Sequence, residues 1–415
     1  MKRAVEFLIV VIATAYRGAI HTANAQVEPA GDIASDSIRA SATRRHGASQ
    51  LEDRLTRILV DDGYANVAAV VERERVSIVY ENARYRDPRR GLRRAAELLQ
   101  PEIAPGQELI LVPTVTAVPL LSAHYCPNLA GPATEPVAAP ARVSMDVSDL
   151  PTALLRARRS SSSFGRLDVV IHPWFEASFG DFDNPIASRT GIAPELRMAL
   201  RPGLTVSAQA LFTLQDDLHT GESRVRPGVV TVNQTVRLPR NLFVAATAGL
   251  FARNRYGIGT EITAYSIDTR WSLGAELGIT GESSFINHQW GFTALNQPTA
   301  LMTITHRLQQ HGVTMRTTAG VFLPRERGAR LDVVRKFGEF ELGWFGVTTG
   351  RAANGGLTLR IPLPQQRYSF PAPVRLRSAE TFVWHYRYSA AAPSGQRYPP
   401  PAEYTWLSSY LWSDL

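Results

Sequence analysis

Two glutamates on neighbouring runs of alternating polarity come closest to a catalytic pair in this sequence. Glu261 and Glu276 each stand on the polar side of a run in which every second residue is apolar. Glycosidases use two carboxyl groups about 5–9.5 Å apart, and residues facing each other on adjacent strands fall within that range. A charged lining of a polar interior explains both residues more simply, so we do not expect an enzyme.

Two further groups of residues do not have the spacing that a catalytic pair or a calcium site requires. His172 and Glu176 share one face of a predicted strand, which separates their Cα atoms by about 13 Å. Asp181, Asp183 and Asn184 offer clustered oxygens but lack the spacing of a calcium-binding loop, so a plain hairpin loop is expected there.

The motifs of common enzyme classes are absent. The sequence has no GxSxG, HExxH or P-loop pattern. Its single cysteine, Cys126, has no partner for an intramolecular disulfide and no histidine cluster nearby. We therefore predict neither a metal site nor a cofactor.

The positive net charge is compatible with several kinds of binding partner. The formal net charge is +8, and a basic chain can bind nucleic acid, anionic lipid or an acidic polymer. The arginines are dispersed and form no motif interleaved with aromatic residues. We therefore predict no nucleic-acid site.

The N-terminal residues 1–25 have the pattern of a signal peptide. Lys2 and Arg3 precede an apolar stretch, and Ala23-Asn24-Ala25 forms a small-x-small cleavage pattern. Beyond it, no apolar run approaches the ~20 residues of a membrane-spanning helix. Residues 26–48 have no apolar period and are predicted to be a flexible leader.

A small α/β domain is predicted for residues 49–125, in the order α-β-β-α-β-β. Ser49 and Glu52 form a capping box at the start of an amphipathic helix, which Gly63 ends. Asp87 and Pro88 begin a second helix, on which Arg89, Arg90, Arg93 and Arg94 are expected to face solvent. The β-rich runs are 67–72, 76–81, 108–115 and 117–123. We expect this domain to serve in docking.

Residues 126–165 are rich in Pro, Ala, Ser and Arg and are predicted to be a linker, with a short helix near 150–157. From residue 166 to 390 the apolar period changes to 2, and turn sequences such as Arg201-Pro202-Gly203 separate long runs. Long hairpins in series predict an antiparallel up-and-down β-barrel of about 12–14 strands. The fold class is therefore mainly β.

Alternation requires one face in an apolar medium and the other in a polar one. A soluble sandwich or lipocalin-like barrel is the competing interpretation, with its apolar faces packed inside. The predicted strands exceed the usual length of about 5–6 residues in soluble sheets, and their polar face carries charges of both signs, including Glu195 and Lys336. Both features favour a barrel in the outer membrane.

Two stretches resemble the YjbH/GfcD-type family of outer-membrane exopolysaccharide biosynthesis proteins. In the small domain these are Gly63-Tyr64, IVYEN at 78–82 and Arg84-Tyr85-Arg86. In the alternating half they are VVRKFG at 333–338, FELGWF at 340–345 and GGLTLRIPLP at 355–364. The chain departs from the family in lacking a lipobox cysteine and in having a single barrel.

The resemblance implies a barrel joined to a periplasmic module that helps to export or assemble an exopolysaccharide or capsular polysaccharide. Its expected partners are the polymer, outer-membrane lipid and components of polysaccharide export. A general diffusion porin is the alternative. We expect the chain after Pro364 either to add a last hairpin, for which residues 381–388 alternate suitably, or to plug and dock. Residues 391–415 are predicted to be a C-terminal tail beyond the barrel. The residues predicted to contact polysaccharide in the lumen are Glu176, Arg197, Arg237, Glu261, Glu276, Arg316, Arg330 and Arg360.

Overall fold

The structure is a computed structural model, and it describes residues 35–126, 140, 142–148, 150–157, 159–179, 186–218, 223–252, 254–286, 289–350, 352–388, 395 and 410. Residues 1–47 and 48–415 belong to two compact units. The predicted signal peptide and the oxygen cluster at 181–184 lie outside the described residues. Within the described part, no helix is both long and apolar enough to span a membrane.

The first helix, α1, spans Ser35–Asp62. The predictions of a capping box at Ser49 and of a flexible leader after residue 35 are therefore wrong. The Glu52 carboxylate instead accepts a hydrogen bond from the Val71 N–H at 2.9 Å, which ties the helix to a strand. Gly63 ends the helix as predicted, with φ +99° and its N–H donating to the Val60 carbonyl.

A small α/β module has the α-β-β-α-β-β order expected from its sequence, and one more strand and one more helix follow that order. We use "module" for α1 and the elements from β1 to α3. A five-strand path in the order β1-β2-β3-β5-β6 forms its sheet, with β4 paired to β3. The bounds are β1 Ala65–Val71, β2 Arg75–Glu81, α2 Pro88–Leu99, β3 Glu108–Val115, β4 Val118–Pro119, β5 Ser122–Tyr125, β6 Arg142–Ser144 and α3 Thr152–Arg156.

The module has apolar residues on both faces of its sheet. Leu92 and Leu99 of α2 pack on one face, and Leu154 of α3 packs on the other. Tyr64 and Tyr80 meet edge to face at 5.1 Å, and burial raises the pKa of both phenols well above the usual value. The strand β6 comes from the segment predicted to be a linker, so that prediction is wrong for residues 142–144. The short helix predicted near residues 150–157 is confirmed as α3.

Among the described residues, the large sheet contains fifteen strands, in the order β20-β7-β8-β9-β10-β11-β12-β13-β15-β16-β17-β18-β19-β21, with β14 paired to β13. This exceeds the 12–14 strands predicted because the sequence did not reveal the short strands β14 and β20. The bounds are β7 Leu167–Phe179, β8 Ile186–Arg201, β9 Leu204–Asp216, β10 Val225–Leu238, β11 Leu242–Phe251, β12 Arg255–Tyr265, β13 Trp271–Ile286, β14 Gln289–Phe292, β15 Gln297–Leu308, β16 Val313–Phe322, β17 Glu326–Phe337, β18 Phe340–Thr349, β19 Ala353–Pro362, β20 Val374–Ser378 and β21 Thr381–Arg387.

The two faces of this sheet differ in composition and in exposure. On the apolar face, Leu214 is 70% exposed and Leu277 is 58% exposed. On the opposite, polar face, Thr280 and Thr318 are buried. A soluble protein buries its large aliphatic side chains and exposes its threonines. The exposure of apolar and polar side chains on this sheet is therefore the reverse of that in a soluble protein, which we call inverted polarity.

The first and last strands of the order come from neighbouring stretches of chain. The strand β20 pairs with β7 in parallel, and β21 pairs with β19 in antiparallel register. Only Ala379 and Glu380 stand between β20 and β21. The two ends of the sheet are thus tied together by a short stretch of backbone, which we call the seam.

Buried charges hold the seam. Asp168 on β7 accepts hydrogen bonds from Arg375 at 2.9 and 2.6 Å and from Arg377 at 2.9 Å. Arg377 also donates to Glu380 at 2.7 Å. The paired fork of Arg375 on one carboxylate is among the stronger hydrogen-bonded geometries in proteins.

Replacing Asp168 with Asn is expected to destabilise the fold by about 3–5 kcal/mol, because the buried guanidinium of Arg375 loses its anion and that of Arg377 keeps only Glu380. Urea unfolding of the purified protein measures the change. The matched control is Asp268→Asn, which removes a carboxylate from an exposed turn. Equal unfolding midpoints for the two variants would show that the seam does not depend on this carboxylate.

Candidate functional site

The polar face of the large sheet carries ladders of hydroxyl groups. Thr303 and Thr318, on neighbouring strands, share a hydrogen bond of 3.1 Å between their hydroxyls. The Asn233 amide donates to the Thr247 hydroxyl at 2.6 Å. Hydroxyls both donate and accept, so such a face can exchange hydrogen bonds with the hydroxyls of a sugar.

Glu261 and Glu276 face each other in register on β12 and β13. Partners in that position have Cβ atoms about 4.5–5.5 Å apart. Sequence reasoning therefore placed the pair correctly on adjacent strands. Both residues also interact with further neighbouring groups, as expected of a charged lining.

The other arginines predicted to line the lumen are held in charge pairs on the same polar face. Arg316 stands opposite Asp332 in the β16–β17 register. The Arg330 guanidinium binds Asp332 at 2.7 Å and lies over the Phe345 ring, 4.1 Å from its centroid. Arg360 forms a 3.0 Å ion pair with Glu341.

A second charge cluster joins β8 to the seam. Glu195 accepts hydrogen bonds from Arg197 at 3.1 and 3.0 Å and pairs with His172 at 2.7 Å. Arg197 also lies 4.0 Å from Glu380. The prediction that His172 and Glu176 lie too far apart to act together is consistent with Glu176 being exposed further along β7. The sequence did not reveal that His172 pairs with Glu195.

Arg237 does not line an open face, which corrects its assignment as a sugar contact. Its guanidinium donates to the carbonyls of Pro119 at 3.1 Å and Leu120 at 2.9 Å, and also to the Met145 carbonyl. All three carbonyls belong to the module. Arg237 therefore binds the module to the end of β10.

The Arg84-Tyr85-Arg86 segment of the module pairs with the loop between β19 and β20. The Tyr368 N–H donates to the Arg84 carbonyl at 2.7 Å, and the Arg86 N–H donates to the Gln366 carbonyl at 3.1 Å. The Arg84 guanidinium lies over the Phe370 ring at 3.6 Å. This backbone pairing docks the module on the same end of the sheet as Arg237.

The two stretches that carry the family resemblance meet at this docked interface. The Arg86 guanidinium forms an ion pair with Glu339 in the β17–β18 turn. Arg89, 8% exposed, pairs with Asp87 and was wrongly predicted to face solvent. These contacts hold the module against the sheet, and no single motif in the sequence revealed which residues meet; that the module serves in docking stays a prediction.

Within the described ranges, no group of three or more His, Cys, Asp or Glu side chains is arranged to hold a metal ion. The described residues provide hydrogen bonding and charge pairing along the polar face, together with the contacts that dock the module at one end.

Replacing Arg237 with Ala is expected to loosen the docked module, because three backbone carbonyls lose a charged donor, at roughly 1.5–3 kcal/mol for each such bond. Amide hydrogen exchange in β4 and β5 should accelerate. Arg240→Ala, in the exposed adjoining turn, is the control. Unchanged exchange in the Arg237 variant would contradict the docking role.

The chain has both family and structural similarity to known proteins. It matches the YjbH family model, described as exopolysaccharide biosynthesis protein YbjH, over residues 15–355. No curated protein matches it. Among solved structures, it is similar to a loop L8 deletion mutant of OmpT, an outer membrane protein of Vibrio cholerae, with 9% identity over 47% of this chain and 85% of that chain and a TM-score of 0.26. Because the family model covers most of the sequence, the chain belongs to the YjbH family of exopolysaccharide biosynthesis proteins.

Proposed function

We propose that this protein is an outer-membrane β-barrel that helps to export or assemble an exopolysaccharide, without catalysis. The observation that carries the proposal is the inverted polarity of the large sheet. Family membership connects the chain to exopolysaccharide biosynthesis. The geometry then supports a particular way of serving that process.

The apolar face is suited to lipid. Met302 is 61% exposed and Ile304 is 52% exposed on the same strand, and a continuous apolar surface of this kind would associate in water. Exposed aromatic residues lie near both ends of the strands: Trp271 and Phe337 at the module's end, and Trp290 and Phe292 at the opposite end. Membrane barrels carry such aromatic girdles at both interfaces.

The seam supports closure of the sheet into a barrel. Because β20 pairs with β7 while β21 pairs with β19, one stretch of chain contacts both edges. The rings of Phe175 on β7 and Trp384 on β21 also lie 6.5 Å apart. In a closed barrel no edge strand is left with unpaired backbone groups, which is the requirement for crossing a bilayer.

The turns favour a periplasmic position for the module. Several turns at the module's end are short, as at Pro202-Gly203 and Gly338-Glu339, and the docked loop between β19 and β20 is the long exception. The opposite end carries the longer connection that contains β14. Bacterial outer-membrane barrels have short periplasmic turns and longer external loops. A module docked at the inner mouth could receive the polymer or components of polysaccharide export.

The polar face would become the lumen of the barrel. Its threonine ladders offer hydroxyl groups, and its arginines, among them Arg316 and Arg330, offer charge to acidic sugars. The lumen charges are balanced by Glu261, Glu276 and Asp332, which suits a conduit for a hydrated polymer. A docked module at one mouth argues against free diffusion of small solutes, the behaviour of a general porin.

Purified protein is expected to fold in detergent and to show heat-modifiable mobility on gels, because the lipid-facing side chains need an apolar solvent while the hydrogen-bonded barrel resists unfolding. Electrophoresis of boiled and unboiled samples measures this. A stable, monodisperse monomer in buffer without detergent would refute the membrane barrel.

The double variant Glu261→Gln, Glu276→Gln is expected to restore polymer secretion to a strain that lacks the gene, because the pair lines the lumen and performs no hydrolysis. Secreted polysaccharide in the two strains is the measurement, with the wild-type gene as control. Loss of secretion by a variant that still folds would favour an enzyme. Normal secretion in the deletion strain would remove the polysaccharide role and favour a porin.

A further inference from the structure

An indole ring lies on the polar face of the large sheet, towards the end opposite the module. Trp174 shares the side of β7 that carries His172, and it pairs in register with Gly191 of β8. A Cβ atom built on Gly191 would stand 2.5 Å from Trp174 Nε1 and 2.9 Å from Trp174 Cε2. The indole therefore lies across β8, in space that a side chain at position 191 would occupy, and it is partly exposed.

A β-bulge beside the indole brings a carboxylate onto the same face. Gly191 pairs with Thr213 of β9, whereas Arg189 pairs with Asp216, so β9 contains one extra residue, Leu214. Successive residues of a strand point to opposite faces, and one extra residue reverses that order. The bulge therefore turns Asp216 to the polar face, where it meets Arg189.

Arg189 holds the ring and this carboxylate in place. Its guanidinium lies 5.5 Å from the centroid of the Trp174 ring, and its Nε atom is 3.4 Å from a carboxylate oxygen of Asp216. A guanidinium at that distance from an indole is attracted by the electron-rich face of the ring. Because Arg189 is only 1% exposed, it positions its neighbours and does not itself meet a passing polymer.

Three polar groups surround the indole. The Thr213 side chain is 9% exposed, and its hydroxyl has no hydrogen-bond partner among the described residues. Glu176, two residues beyond Trp174 on β7, is exposed, and the Asp216 side chain is 21% exposed. At ~3.4 Å per residue along a strand and ~4.8 Å between strands, the Cα atoms of all three lie within about 12 Å of that of Trp174.

An aromatic ring surrounded by these groups matches the surface of a pyranose. The C–H bonds on one side of a pyranose form an apolar patch that packs on the negative face of an indole. Its hydroxyls donate to carboxylates and exchange hydrogen bonds with a threonine hydroxyl. An apolar wall with a few convergent polar groups is the usual composition of a small-molecule site.

We propose a pyranose-binding subsite at the mouth of the lumen opposite the module, formed by Trp174, Glu176, Thr213 and Asp216. Arg189 is its positioning residue. This inference rests on the proposed function, in which the polar face is the lumen and a glycan passes along it. With the module in the periplasm, the subsite lies where the polymer leaves the barrel.

Binding of glycan fragments tests the stacking ring. Oligosaccharides released by partial acid hydrolysis of the strain's own secreted polysaccharide are titrated into the full chain in detergent, and calorimetry gives the Kd. Trp174→Ala is expected to raise the Kd about tenfold, whereas Trp174→Phe, which keeps a ring, should retain most of the affinity. Trp271→Ala, on the apolar face, is the control. Equal affinity of Trp174→Ala and the full chain, or no binding by any heat-modifiable form, would overturn the subsite.

The unpartnered hydroxyl separates binding from stability. Thr213→Val keeps the shape of the side chain and should weaken fragment binding several-fold without lowering the unfolding midpoint, because no hydrogen bond within the described protein is lost. Thr318→Val, which removes the partner of Thr303, should lower the midpoint and leave fragment binding unchanged. The reverse pattern would show that Thr213 has a structural role and no ligand.

Arg189 is tested by a pair of variants. Arg189→Met should weaken fragment binding, and Arg189→Lys, which keeps a cation beside the indole, should recover part of the affinity. Full affinity in folded Arg189→Met protein would remove the positioning role.

Failure of the subsite and failure of the proposed function give different results. If the glycan passes through the lumen without this subsite, every folded variant binds the fragments as the full chain does, while a strain without the gene still stops secreting. Normal secretion by that strain would instead remove the export role and the subsite with it.

Discussion

The carboxylate of Asp168, held by Arg375 and Arg377, lies where the beginning and the end of the large sheet meet. The two strands are far apart in sequence, so their association closes a long loop and costs considerable chain entropy. Charge-assisted hydrogen bonds in a largely buried setting offset part of that cost. The proposed lumen depends on this contact, because an open sheet would expose the polar face to bulk solvent.

The distribution of side chains between the two faces is the second constraint. Threonine hydroxyls satisfy one another across strands on the polar face, as between Thr303 and Thr318, while leucines such as Leu277 remain exposed on the other face. In water this arrangement would be unfavourable, at about 25 cal/mol for each Å² of apolar surface left in contact with solvent. A bilayer around the sheet removes that cost, which is why the fold and the proposed location support each other.

The module and the sheet behave as one assembly. Arg237 binds carbonyl groups of the module, and Arg86 pairs with Glu339. The residues that gave the chain its family resemblance, near Arg84-Tyr85-Arg86 and in the β17–β18 hairpin, are thus the residues that meet at the docked end. Their types make sense as docking groups: guanidinium groups reach carbonyls and carboxylates across an interface with a fixed planar geometry.

The sequence by itself determined most of the long strands of the large sheet and which face each of their side chains occupies, because a period of 2 is a local property of the backbone. It also placed Asp87 as a helix cap and set Glu261 and Glu276 on neighbouring strands. Only the tertiary structure decided the recruitment of β6 and α3 into the module, the seam, and the change of Arg237 from expected sugar contact to docking residue. Those features depend on partners distant in sequence, and a residue's local neighbours do not specify which distant carbonyl or carboxylate it will reach.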